Sequence, residues 1–139
     1  MIYLDNAATS FPKPETVYKA MENCISTYCA NPGRGSHAMS IKSALAINET
    51  REKIASLIKV RDSLNICFTK NATEALNVAI VGSLKEGDHV ITTCMEHNSV
   101  LRPLKTMERY NRIKLTIVNA DSLGRIDPFV IKRHINKRT

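Results

Sequence analysis

The sequence predicts an α/β fold, a mostly parallel sheet with flanking helices, and three observations carry that expectation. Short apolar runs at 65–69, 89–93 and 114–119 alternate with longer stretches of helical apolar spacing. Turn signals, Glu86-Gly87-Asp88 and Asp121-Ser122-Leu123-Gly124, punctuate the alternation. Strands separated by helices of this length imply right-handed βαβ crossovers and parallel pairing.

Each element has a local reason. Residues 5–14 form an extended lead-in broken by Pro12 and Pro14. Residues 15–28 carry Val17, Met21, Cys24, Ile25 and Tyr28 at helical spacing. A loop with Pro32, Gly33 and Gly35 follows, and Ser40 is expected to cap a long helix reaching 59. Strand 65–69 gives way at once to a helix over 73–81 ending at Gly82. Strand 89–93, helix 98–110 and strand 114–119 come next. Asp127 should cap the last helix, with Pro128 as its first residue.

Composition narrows the function classes. The 139 residues are read as a single partial domain, 1–139, and a hydrophobic fraction of 43% with 24% charged residues is ordinary for a globular protein. No apolar run approaches the ~20 residues a membrane-spanning helix needs. The opening Met1-Ile2-Tyr3-Leu4-Asp5 has neither the basic segment nor the apolar core of a signal peptide, so a cytoplasmic location is expected. The net charge of +7 is spread along the chain apart from the tail 132–138. With no Trp and no DNA-binding motif, it reads as a solvated basic face, and no nucleic-acid partner is expected. The four cysteines form no Cys-x-x-Cys and read as reduced thiols. Cys24 and Cys67 are expected in the core, and Cys94 in core or loop packing.

Four polar clusters carry the chemistry. In Phe68-Thr69-Lys70-Asn71-Ala72-Thr73-Glu74-Ala75-Leu76-Asn77 an apolar run breaks into a helix start. Helix-start amides and the helix dipole favour an anion such as phosphate there. Asn71 and Glu74 also fit an ordinary cap, which would orient the same amides. Glu96-His97-Asn98-Ser99 lies about one βα unit further on, at the end of the next strand. His97 could be an acid–base group, a ring-stacking partner or a cap; the spacing for a metal site is absent. Asn31-Pro32-Gly33-Arg34-Gly35-Ser36-His37 puts an accessible guanidinium between glycines, either a carboxylate clamp or a surface arginine. Leu4-Asp5-Asn6-Ala7-Ala8-Thr9-Ser10 is the fourth cluster, small and polar.

In this order and spacing the four clusters resemble the N-terminal part of a class V aminotransferase-fold enzyme, of the cysteine desulfurase and selenocysteine lyase family. The resemblance implies part of a fold-type-I large domain and pyridoxal 5′-phosphate as cofactor. It implies that Ala72 and Thr73 hold the cofactor phosphate and that His97 stacks on the pyridine ring. It sets Ala7 and Ala8 on the substrate side, and Arg34 and His37 near the active-site entrance, close to a dimer partner. The implied reaction takes sulfur from L-cysteine, leaving alanine and an enzyme persulfide, with an amino-acid substrate, a homodimer and a protein sulfur acceptor.

Three family features find no counterpart in these residues: the Schiff-base lysine, the aspartate against the pyridine nitrogen and the persulfide cysteine. Lys70 sits in the phosphate turn and Cys94 precedes the histidine motif, so neither takes a catalytic role. The expectation is a truncated, N-terminal portion of a larger enzyme, inactive alone. A different class V enzyme, such as an epimerase or aminotransferase, or a non-catalytic interaction remnant, stays open.

Overall fold

The computed structural model describes residues 2–139; Met1, read above as part of a leaderless N-terminus, lies outside them. The chain divides into two compact units, Met1–Cys67 and Phe68–Thr139. Among the described residues no helix is long and apolar enough to cross a membrane.

The first unit holds helices α1 (Glu15–Thr27) and α2 (Ala38–Leu57) and a single 3-10 turn at Ser63–Asn65. Its opening segment is folded on itself. The Tyr3 hydroxyl donates to the Thr9 carbonyl at 3.0 Å, and the Phe11 amide donates to Asn6 Oδ1 at 3.1 Å. The apolar stripe of α1 is real but uncovered, and no α1 residue is buried, Met21 and Ile25 included. Cys24, expected in a core, is therefore only half-buried.

Helix α2 starts earlier than its sequence suggests. The cap is His37, whose Nδ1 accepts the Ser40 amide at 3.4 Å, and Ser40 is the third residue of the helix. Ser40 instead anchors the preceding loop, its buried Oγ donating to the Asn31 carbonyl at 2.6 Å. One turn on, Ser43 Oγ donates to the Tyr28 carbonyl, also at 2.6 Å. Two short hydroxyls at i and i+3 thus stitch that loop to the helix.

The expected strand at 65–69 does not form. The 3-10 turn takes its first residue, and the chain is extended at Ile66 without entering the described sheet. Apolar alternation specifies an extended backbone, but a strand also needs a neighbour's backbone to complete its hydrogen bonds. Cys67, expected in the core of that strand, is exposed instead.

The second unit follows the expected alternation: α3 (Ala72–Ser83), β1 (Asp88–Thr93), α4 (Asn98–Arg109), β2 (Ile113–Val118) and α5 (Pro128–His134). Strands β1 and β2 pair in parallel, Asp88 opposite Ile113 through Thr93 opposite Val118. Leu104, Met107 and Ile113 form the buried core, with Ile80, Leu84, Val90, Val100 and Leu115 packed around them. Gly87 turns the chain into β1 at φ +83°, a backbone that L side chains rarely adopt. Asp127 Oδ1 accepts the Phe129 amide at 2.9 Å, the cap expected for α5. The basic tail is not wholly solvated, because the Arg138 carbonyl accepts the His89 amide at 2.9 Å.

Candidate functional site

Two helix starts in the second unit build the site. At α3, Asn71 Oδ1 accepts the Glu74 amide at 2.9 Å, and Glu74 Oε2 reaches back to the Lys70 amide at 2.8 Å. This is a capping box displaced by one residue, since the glutamate takes the amide before the cap rather than that of the cap itself. The amides of Ala72 and Thr73 precede the first acceptors of the helix and stay directed out of its end. Ala72 and Thr73 are both exposed.

At α4 the cap is His97. Its Nδ1 accepts the Ser99 amide at 3.1 Å and lies 2.8 Å from Ser99 Oγ. An imidazole nitrogen that accepts an amide proton carries no proton of its own, so in the neutral ring the proton sits on Nε2. The cap fixes the ring's orientation and leaves His97 itself exposed. Ser99, beneath it, is buried.

Thr73 and His97 line one cavity of about 690 Å³ between α3 and α4, with Asn77, Ser99, Arg102 and Arg112 also in its wall. No carboxylate is among its lining residues. Two guanidiniums and two helix N-termini make this an environment for an anion. The volume is that of pockets that hold small cofactors, roughly 300–1,000 Å³.

The other sequence-predicted residues belong to the first unit. Ala7 and Ala8 lie on a turn in which the Ala8 amide donates to the Asp5 carbonyl at 3.2 Å. Arg34 is exposed on the loop before α2, and His37 caps that helix. Gly35 is glycine because of a close approach rather than a tight turn. A Cβ there would meet Ser40 Cβ at 2.7 Å and Ser40 Oγ at 2.8 Å.

Asn77, Arg102 and Arg112 are not evident from sequence. Asn77 could have been found by helical spacing, since i and i+4 put it on the Thr73 face. The arginines carry no local signal, because what brings them to the cavity is the packing of α3 against α4.

The sequence matches the aminotransferase class-V family over residues 2–139. It is 35% identical to a probable cysteine desulfurase of Synechocystis sp., covering 100% of this chain and 34% of that protein. It is 36% identical to one from Methanothermobacter thermautotrophicus, covering 99% of this chain and again 34% of the relative. The chain thus spans about a third of the length of these curated relatives. Among solved structures, the apo cysteine desulfurase of Thermococcus onnurineus NA1 superposes with a TM-score of 0.84 at 33% identity, over 95% of this chain and 33% of that one. SspA in complex with cysteine gives 0.83 at 30% identity, over 100% of this chain and 40% of that one. With the family match spanning every described residue, the chain belongs to the aminotransferase class-V family.

Proposed function

We propose that this chain supplies the phosphate- and ring-binding part of a pyridoxal 5′-phosphate site in a cysteine desulfurase. The observation that carries the reading is the meeting of Thr73 and His97 in one cavity, each at the start of a helix. The Ala72 and Thr73 amides and the Thr73 hydroxyl would hold the phosphate, whose charge the α3 dipole favours. The His97 ring, oriented by its cap, would lie against the flat pyridine, with its Nε2–H free to donate. When bound, the cofactor supplies an electron sink for the substrate's Cα bonds, and the protein's part is to hold and orient it.

The substrate is taken to be L-cysteine, whose sulfur leaves as an enzyme persulfide with alanine as the other product. The relatives' names and the cysteine complex of SspA support that choice. Ala7 and Ala8 belong on the substrate side and Arg34 and His37 at the entrance of the working enzyme. That enzyme is a cytoplasmic homodimer passing sulfur to an acceptor protein.

Pyridoxamine 5′-phosphate tests the cofactor part, because it has no aldehyde to react with surface lysines. Titrated into the chain and followed by calorimetry, it should bind, and Thr73→Ala should weaken it by about 1–3 kcal/mol, the loss of a charge-assisted hydrogen bond. His97→Ala should weaken it as well. Affinity unchanged in both variants overturns the assignment.

A further inference from the structure

Pro103 lies inside α4 and has no amide proton. The carbonyl four residues back, that of Ser99, therefore loses its helical donor. Asn77 Nδ2, from α3, donates to that oxygen instead, at 3.4 Å. The same amide group donates its other proton to the Thr73 carbonyl at 2.8 Å. Ser99 in turn bonds His97 Nδ1 through both its amide and its hydroxyl.

We infer that Asn77 is a positioning residue that ties the Thr73 helix start to the His97 helix start through the carbonyl Pro103 leaves open. The role rests on the cofactor site proposed above. Asn77 uses one NH₂ group, with two protons, on two carbonyls in two helices. The chain of contacts Thr73–Asn77–Ser99–His97 is continuous, its three links spanning 2.8, 3.4 and 3.1 Å. An anion at Thr73 and a ring under His97 would belong to one rigid ligand. Binding then depends on the separation of the two helix starts, and pre-setting it avoids the cost of ordering them on binding. Pro103 is the enabling half of the device. With any other residue at that position, the helix's own amide would compete for the Ser99 oxygen.

Two substitutions separate this role from simple packing. Asn77→Asp keeps shape and volume but turns a donor toward neither carbonyl, so a carboxylate oxygen faces two carbonyl oxygens. Pro103→Ala restores the helical donor and should make α4 more stable. The readouts are the His97 ring resonances of the free chain by NMR, thermal unfolding, and pyridoxamine 5′-phosphate affinity. We expect Asn77→Asp to shift and broaden the His97 ring signals and to weaken binding about 10-fold or more, since both Asn77 donations are lost and a carboxylate enters the cavity wall. Pro103→Ala should raise the unfolding temperature and yet weaken binding, and should add nothing in an Asn77→Ala background. A packing role predicts stability and affinity moving together. If His97 signals match wild type in Asn77→Asp and Pro103→Ala, the inference is overturned. Failure of wild type to bind the probe would instead remove the cofactor reading, while the ring signals would still decide whether Asn77 positions His97.

Discussion

Asn71 Oδ1 accepts the amide of Glu74 at 2.9 Å, and this bond decides which helix-start amides of α3 are left for a ligand. The cap satisfies the third amide of the helix and aims the first two outward. Capping and the proposed phosphate binding would therefore use one arrangement. Asn71→Ala should destabilise the start of α3 by about 1 kcal/mol and weaken phosphate-ligand binding with it. Asn71→Asp should keep the cap. Hydrogen exchange of the Glu74 amide reports the first effect and titration with pyridoxamine 5′-phosphate the second. Fast exchange in Asn71→Ala with undiminished affinity would separate the two roles.

His97 combines a cap with a ring, and the two can be pulled apart. Asparagine caps helices well but offers no aromatic face. His97→Asn should therefore retain α4 stability while losing ligand affinity, whereas His97→Ala should lose both, the cap costing about 0.5–2 kcal/mol. Nitrogen NMR of the neutral ring should find the proton on Nε2, as the Ser99 amide bond to Nδ1 requires. A proton found on Nδ1 would show that this bond is not made in solution.

Gly35 tests the first unit. A methyl there cannot fit beside Ser40 without moving it, and moving Ser40 breaks its bond to Asn31. Gly35→Ala should cost about 1–3 kcal/mol, the range for overpacking. Ser40→Ala should not rescue it, because the tighter of the two clashes is with Cβ, which alanine keeps. Denaturant unfolding of the single and double variants checks this.

What the sequence disclosed was mainly what is local. The caps at Asn71 and Asp127 and the spacing of the second unit's helices depend on neighbours within four residues, and they are found where expected. Three features depended on something further away. Ser40 looked like a cap because serine caps well, but its hydroxyl is taken by Asn31, nine residues back. The run 65–69 has strand composition but needs a partner strand that composition cannot name. Asn77 and Ser99 are 22 residues apart, and only the packing of α3 on α4 makes them neighbours. In the site, Thr73 and His97 were legible as motif positions and Asn77 was within reach of helical spacing from Thr73, while Arg102 and Arg112 became visible only through that packing.

Asp121 gives a pH-dependent test. Its carboxylate accepts the Arg125 amide and the Arg125 guanidinium, at 2.9 and 2.8 Å, and the Leu123 amide at 2.9 Å. Arg125's two bonds hold its pKa below the usual 3.8, outweighing the opposing effect of burial, and the Leu123 bond adds a smaller lowering. A depressed folded-state value means that the turn's extra stability is present above the ordinary carboxylate value. It is lost as pH falls from there through the folded value. Amide shifts of Leu123 and Arg125 should stay constant above the ordinary carboxylate range and move below it. Asp121→Asn should show the low-pH shifts at every pH. Movement at neutral pH in wild type would contradict the assignment.

Two residues tempt a catalytic assignment for these 139 residues as a purified chain. Lys70 directly precedes the α3 cap Asn71, but its Nζ is paired with Glu74 at 3.8 Å and its side chain is 83% exposed. An amine held in solvent beside a carboxylate is not in the desolvated pocket that activates a lysine nucleophile. Cys94 follows β1 directly, but its sulfur accepts the Ala120 amide at 3.1 Å, and neither it nor Lys70 lines the cavity that holds Thr73 and His97. The chain supplied with pyridoxal 5′-phosphate and L-cysteine should therefore release no sulfide above a protein-free control. Lys70→Gln and Cys94→Ala should leave pyridoxamine 5′-phosphate affinity within about two-fold of wild type, the scale of a surface substitution. Sulfide measured by a colorimetric assay, with colour from surface lysines subtracted using an unrelated lysine-rich protein, is the check. Cysteine-dependent sulfide that disappears in Lys70→Gln would make Lys70 the amine that engages the cofactor.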